Sequence, residues 1–227
     1  MKLQRAKIIR IAIDATAASG STSLSLRLAR HYKLRYLDTG KVYRWCALRI
    51  MQKGPKNEIK FLKREIKKLN LNKLKNKKLI DDKVAQITSQ IAKKPSIRKL
   101  VLAFQKKIAY DIPKGYSGSI LNGRDITYKI IPDATFKFYV TASIFVRSKR
   151  RTAELKKLGK NVSFKEVLKS LKKRDKSDKN RRYSPLRLGR DSLLINTTRL
   201  SITGSFLKVK KIIDRKLNNY GNNFKAR

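Results

Sequence analysis

Residues 15–22, Ala-Thr-Ala-Ala-Ser-Gly-Ser-Thr, stand between a short, mostly apolar run that starts at Ile8 and a helical pattern that follows. This is the layout of a loop that binds phosphate. A buried strand ends in a tight turn whose bare amides and following helix N-terminus face the anion, so small side chains are required. Ala15, Ala17, Ala18, Ser19 and Gly20 meet that requirement, with Thr16, Ser21, Thr22 and Ser23 completing the segment. On the template Gly-x-x-x-x-Gly-Lys-Ser/Thr, Ala15 takes the first glycine, Gly20 the second, Ser21 the lysine and Thr22 the hydroxyl that sits near a magnesium ion. Two of the four fixed positions depart from the template. Taken alone, the segment also fits any strand-turn-helix unit with a serine near the helix cap.

Other segments carry charge in useful places. Thr39-Gly40 precedes Arg44 by about one helical turn, which suits a phosphate. Gly123-Arg124-Asp125 follows a short apolar run, and the carboxyl end of a parallel strand is where open α/β sheets place ligands. Arg174, Asp178 and Arg181 fall at i, i+4 and i+7 of a helical pattern, with Asp175 and Arg182 beside them. Such a face is either surface ion pairing or an arginine-rich lid over a phosphoryl group. Arg147, Arg150 and Arg151 lie on neighbouring turns of another helix, and for these a solvated surface is the preferred reading.

Composition narrows the class. The chain has 227 residues, 41% hydrophobic, with Lys+Arg 59 against Asp+Glu 15, a net charge of +44. No run of about twenty apolar residues is present to span a bilayer. The N-terminal stretch has no small-residue cleavage site, so no signal peptide is expected, and a soluble, cytoplasmic chain is. The single Cys46 excludes a disulfide framework or cysteine metal cluster and suits a reducing compartment. The charge will attract polyanions at low salt, yet it is spread along the chain with no nucleic-acid-binding signature, so compositional drift is favoured over a dedicated nucleic-acid function.

Apolar spacing supplies the elements. Leu24, Leu28 and His31 recur at i, i+4, i+7, which puts the only histidine on a helix face packed against the sheet. A strand is expected over 34–37 and a helix over 41–51. Ile59, Leu62, Ile66 and Leu69, then Val84, Ile87 and Ile91, mark two amphipathic helices joined by a polar link over 71–78. Pro95 opens a helix with Ile97, Val101, Phe104 and Ile108 on its buried stripe. Strands follow over 119–121, 136–141 and 192–196. The helix through Arg174 and Arg181 is expected to stop at Pro185, and the closing helix carries Ile202 to Leu217, with a fraying tail over 218–223.

Together these segments make the chain resemble the bacterial cytidylate kinases, P-loop nucleoside monophosphate kinases that use ATP. The resemblance rests on residues 15–22; on 37–44, Leu-Asp-Thr-Gly-Lys-Val-Tyr-Arg; and on 89–98, Ser-Gln-Ile-Ala-Lys-Lys-Pro-Ser-Ile-Arg. It continues through Gly123-Arg124-Asp125-Ile126, with Pro132, Asp133 and Ala134 beyond. It closes on the pattern from Arg174 to Leu186, Asp191, and 196–202. The order and rough spacing match across nearly the whole chain.

The resemblance implies a three-layer α/β fold of the P-loop NTPase type with a central five-stranded parallel sheet. It implies one kinase domain over 1–227: a core of 1–44, 95–150 and 185–227, a mostly helical monophosphate-binding insert over 45–94 and a lid over 151–184. It implies phosphoryl transfer from ATP, with Mg²⁺, to CMP or dCMP by a monomer. Thr39, Arg44, Arg124 and Arg181 would surround the acceptor phosphate; Ser89, Arg98 and Asp125 would face cytosine; Arg174 and Asp178 would lie at the ribose. Arg124, Arg174 and Arg181 would act in catalysis, and Thr22, with Asp14 or Asp38, near the magnesium. Ala15 and Ser21 depart from the family pattern, as do Asn122, where an acid is usual, and Thr127, where glycine is. A second reading is a homologue that binds CMP, or RNA through its basic surface, without turnover.

Overall fold

The computed structural model describes residues 8–222, so the N-terminal stretch and the last residue of the expected fraying tail lie outside it. Five strands form one all-parallel sheet: β1 (Ile9–Ala15), β2 (Leu34–Asp38), β3 (Gly118–Gly123), β4 (Phe136–Thr141) and β5 (Leu193–Asn196), in the order β2-β3-β1-β4-β5. Parallel neighbours need crossovers, and among the described residues eight helices supply them. They are α1 (Ser21–His31), α2 (Thr39–Lys53), α3 (Glu58–Lys67), α4 (Asp82–Ile91), α5 (Pro95–Tyr110), α6 (Ile144–Lys157), α7 (Phe164–Asn180) and α8 (Ile202–Asn222).

β1 is central, and its alternation sorts the two faces of the sheet. Ile11, Ile13 and Ala15 pack with Leu24 and Leu28 of α1 and Val209 and Ile213 of α8. Ala12 points to the other face, where α2, α5 and the small helices α3 and α4 gather Trp45, Cys46, Leu62, Val84, Ile97 and Val101 into one cluster. Burial pushes the Cys46 thiol up to about 12, so it behaves as a small apolar group. Gly118 holds β3 against β1: a Cβ there would stand 1.8 Å from the Ile9 carbonyl oxygen. Among the described residues no helix is long and apolar enough to cross a membrane.

Three expectations are corrected. His31 is exposed, its ring edge-on to Tyr32 and Phe206, because α1 ends there and Tyr32 turns inward to donate its hydroxyl proton to Asp214 at 2.6 Å. The helix bearing the arginine face ends at Asn180, before Pro185. Arg181 is extended, with φ −67 and ψ 140, and the Leu186 amide donates back to the Asp178 carbonyl at 2.7 Å. The closing helix also runs further than expected, through residues 218–222.

Candidate active site at the carboxyl edge of the sheet

The loop between β1 and α1 has the shape its small residues allow. Ala18 (φ 59) and Gly20 (φ 84) both take left-handed backbone, the conformation used in anion-binding nests, and the Ser19 amide between them donates to the Thr16 carbonyl at 3.4 Å. For Ala18 this conformation costs about 1–2 kcal/mol, so surrounding contacts must hold it. They do so by taking the loop's outward groups. The Thr16 amide donates to the Val140 carbonyl at 3.1 Å, Arg147 Nη1 donates to the Ala17 carbonyl at 3.0 Å, and Thr197 Oγ1 donates to the Ser19 carbonyl at 2.8 Å. The first amides of α1 precede its internal hydrogen-bond ladder. Ala15 fits at the first template position because its methyl is fully buried at the end of β1, and Ser21, also buried, begins α1.

The acceptor side is built on the end of β3. Gly123 is obligatory there: a Cβ would lie 2.3 Å from Thr39 Oγ1 and 2.7 Å from the Ile126 side chain. Thr39 Oγ1 in turn donates to the Asn122 carbonyl at 3.0 Å, fixing the start of α2 against the strand. The next two side chains diverge into two ion pairs. Arg124 Nε donates to Asp178 Oδ2 at 2.7 Å, and Arg98 Nη2 donates to Asp125 Oδ2 at 2.5 Å.

Asp178 is the hub of a cationic group. Arg124, Arg181 at 3.7 Å and Arg174 at 3.9 Å converge on its carboxylate. Burial would raise this carboxyl, but Arg124, Arg174 and Arg181 outweigh it and hold it below the usual range. Arg174, with a side chain 54% exposed, is held below the usual arginine range by desolvation among its neighbours and then by repulsion from Arg124, Arg44 and Arg151. One carboxylate thus faces at least three guanidinium groups. Arg181 also keeps a buried Nη2 without a hydrogen-bond partner. An excess of cations with unused donors is what an anionic ligand would satisfy.

Asp14 is engaged within the fold. Its fully buried carboxylate accepts from the Ile126 amide at 2.7 Å, the Thr127 amide at 3.1 Å and the Thr127 hydroxyl at 2.6 Å. These bonds tie β1 to a single wide turn, Ile126–Ile130, just beyond Arg124 and Asp125. Thr127, where the family pattern has glycine, supplies the third of them. Burial pushes the Asp14 carboxyl up to about 6 despite the three donors. Asp38 is likewise engaged, capping α2 through the Gly40 amide at 3.0 Å.

Thr39, Arg98, Arg124, Asp125, Arg174, Asp178 and Arg181 therefore form one group at the carboxyl end of β3. Arg44 borders it, within electrostatic reach of Arg174, with Nη1 donating to the Leu79 carbonyl at 2.8 Å. Ser89 is exposed on α4 and its hydroxyl donates to the Ala85 carbonyl of its own helix. Thr22 is exposed on α1, its hydroxyl accepting from Asn122 Nδ2 at 3.3 Å. One residue was misjudged by sequence and another was not singled out. Arg147, expected on a solvated face, is 5% exposed and bonds to Asp175 at 2.6 Å, and Tyr43 presents its ring to Arg98 at 5.5 Å. Asp175, one of few acids in a lysine-rich helix, was the available signal for the first.

A family model described as cytidylate kinase matches residues 11–215. Curated cytidylate kinases are similar over most of their length. That of Brucella ovis is 38% identical over 208 residues, spanning 91% of this chain and 93% of the relative. That of Bartonella quintana is 39% identical over 205 residues, spanning 90% and 94%. A crystal structure of an uncharacterized protein from Eubacterium ventriosum shares the fold, with TM-score 0.54, 18% identity, and coverage of 91% of this chain and 98% of that one.

Proposed function

The chain belongs to the cytidylate kinase family, and on that premise we propose that it transfers a phosphoryl group from ATP to CMP or dCMP. The observation that carries this reading is that the small-residue loop after β1 and the Arg124, Arg174 and Arg181 cluster after β3 stand at the same carboxyl edge of the sheet. In phosphoryl transfer, positioning and electrostatic stabilisation do nearly all the work. The γ-phosphorus would exchange its bond to the leaving ADP oxygen for one to an oxygen of the acceptor phosphate, with no covalent intermediate on the protein.

The residues divide by task. Thr39, Arg44, Arg124 and Arg181 would hold the acceptor phosphate, and Arg124 would exchange Asp178 for it in part. Asp125 accepts hydrogen bonds only, and Arg98 donates them only, so together they present a complement to the cytosine amino and carbonyl edge. Ser89 would join them from α4. Asp178, with Arg174, would turn toward the ribose. The loop over 15–23 would cradle the ATP phosphates, and Arg174 and Arg181 would neutralise charge on the transferred group.

The protein side of a magnesium site is sparse, and that fits an ion carried mainly by ATP phosphates and water. Among the described residues no three acidic, histidine or cysteine groups gather as ligands. The fitting groups are the Thr22 hydroxyl and the buried Asn122 Oδ1, which has no hydrogen-bond partner. Mg²⁺ would supply charge neutralisation on the phosphates. In this reading 45–94 binds the monophosphate, 151–184 closes over the cleft, and every group comes from one chain, so a monomer suffices. The test is ADP release from MgATP with CMP, dCMP, UMP and AMP as acceptors. CMP and dCMP should lead, and activity confined to AMP would overturn the assignment.

A further inference from the structure

We propose that Arg147 is a positioning residue that couples the phosphate loop to α7, so that filling the loop and closing the arginine cluster over the acceptor are one linked event. The inference rests on the kinase reading and deepens it.

Arg147 lies between the two. Its Nε donates to the Ala142 carbonyl at 2.8 Å, its Nη1 to the Ala17 carbonyl of the loop at 3.0 Å, and its Nη2 to Asp175 of α7 at 2.6 Å. Three bonds from one planar guanidinium fix its position, and a lysine could not reproduce that fork. The same interface is sealed by apolar contact: Ala17 packs with Val167 and Leu171 of α7, and Ala18, Ile144, Leu155 and Val162 border them. Both methyls come from loop positions where small residues are needed. Helix α7 is thus seated on the loop itself.

The other end of the relay is on the same helix. Asp175 and Asp178 are three residues apart, so they lie on adjoining faces of one turn. Asp175 faces Arg147 and the ATP loop, and Asp178 faces Arg124 and the acceptor cluster. A displacement of the loop that moved the Ala17 carbonyl would shift Arg147, and with it the turn of α7 that sets Arg174, Asp178 and Arg181. Asp175 Oδ1, buried and without a hydrogen-bond partner, leaves that contact capable of rearrangement.

Calorimetry of CMP binding, with and without a non-hydrolysable ATP analogue, tests the coupling. The unmodified protein should bind CMP more tightly when the analogue is present, by about five-fold or more, the range of ordinary coupling between sites. In Asp175→Ala and Arg147→Lys, CMP affinity without the analogue should stay within about two-fold while the enhancement disappears, since the acceptor contacts remain and the relay does not. Thermal melts confirm that each variant is folded, and Asp175→Ala, which leaves Arg147 its two carbonyl partners, covers the case in which Arg147→Lys is not. The inference is overturned if the unmodified protein shows no enhancement, or if a folded variant keeps it. Failure to bind CMP at all, in the unmodified protein, would instead overturn the kinase reading.

Discussion

Arg98 and Asp125 form a nearly closed pair, Nη2 to Oδ2 at 2.5 Å, with each side chain only 10% exposed. Tyr43 covers the guanidinium at 5.5 Å, and a second Arg98 nitrogen donates to the Ala92 carbonyl at 3.1 Å. Burial opposes the charge on Arg98, and Tyr43 and Asp125 more than restore it. The pair is pre-assembled on rigid elements, one member from α5 and the other from the end of β3.

Base choice follows from that pair. A polar partner missing or mismatched in a buried pocket costs about 1–3 kcal/mol, so CMP should bind roughly five- to 150-fold more tightly than UMP. Asp125→Ala should weaken CMP by a similar factor and erase the preference. Calorimetry with both nucleotides checks this; equal affinities in the unmodified protein would contradict the assignment of Asp125.

Stability should depend on pH through two carboxylates of opposite sign. Asp14 is raised to about 6 in the folded protein, so its contribution is fully present below the ordinary carboxylate value, near 4, and is lost as pH rises through 6. At roughly 1.4 kcal/mol per pH unit of displacement, the change is up to about 3 kcal/mol. Asp178 is held below its usual range by Arg124, so its contribution is present above about pH 4 and is lost as pH falls through its lowered value. Urea midpoints from pH 4 to 7 should fall toward pH 7 in the unmodified protein and run flatter in Asp14→Asn. Parallel curves for the two proteins would remove Asp14 from the account.

The order of helical and extended segments was legible because apolar spacing fixes which side of each segment is buried. Pro95 at the start of α5 and the Ile97, Val101, Phe104, Ile108 stripe stand as read. The carboxyl-edge position of Arg124 and Asp125 was legible too, since a short apolar run ending in Gly-Arg-Asp leaves little choice. What spacing does not carry is where a helix lifts away from the sheet, and His31 fell on that point. It also does not say which arginines go inside. Arg147 is buried because a carboxylate of the following helix and two carbonyls, one of them 130 residues away, meet it, and no local pattern encodes that meeting. The engagement of Asp14 by the turn at 126–127 is likewise a contact across 112 residues.

The charge of +44 should produce binding to unrelated RNA and DNA sequences that weakens linearly on a logarithmic salt scale. Fluorescence anisotropy from low to physiological salt measures it. Binding that persists at physiological salt with a sequence preference would show that the lysines serve a dedicated nucleic-acid site.

Ser21 occupies the position where a lysine would contact the ATP phosphates, and the proposed enzyme works without it. A charge-assisted contact contributes about 1.5–3 kcal/mol, so Ser21→Lys should raise turnover with ATP by roughly ten- to a hundred-fold while leaving CMP affinity nearly unchanged. The deciding measurement is steady-state ADP release from MgATP and CMP by the unmodified protein and by Ser21→Lys, side by side. Slow Mg²⁺-dependent turnover in the first, with faster turnover at the same CMP affinity in the second, is the expected result. Absence of ADP release from both proteins with every nucleoside monophosphate, in samples that bind CMP, would contradict the kinase reading and leave a protein that binds the nucleotide without transferring phosphate.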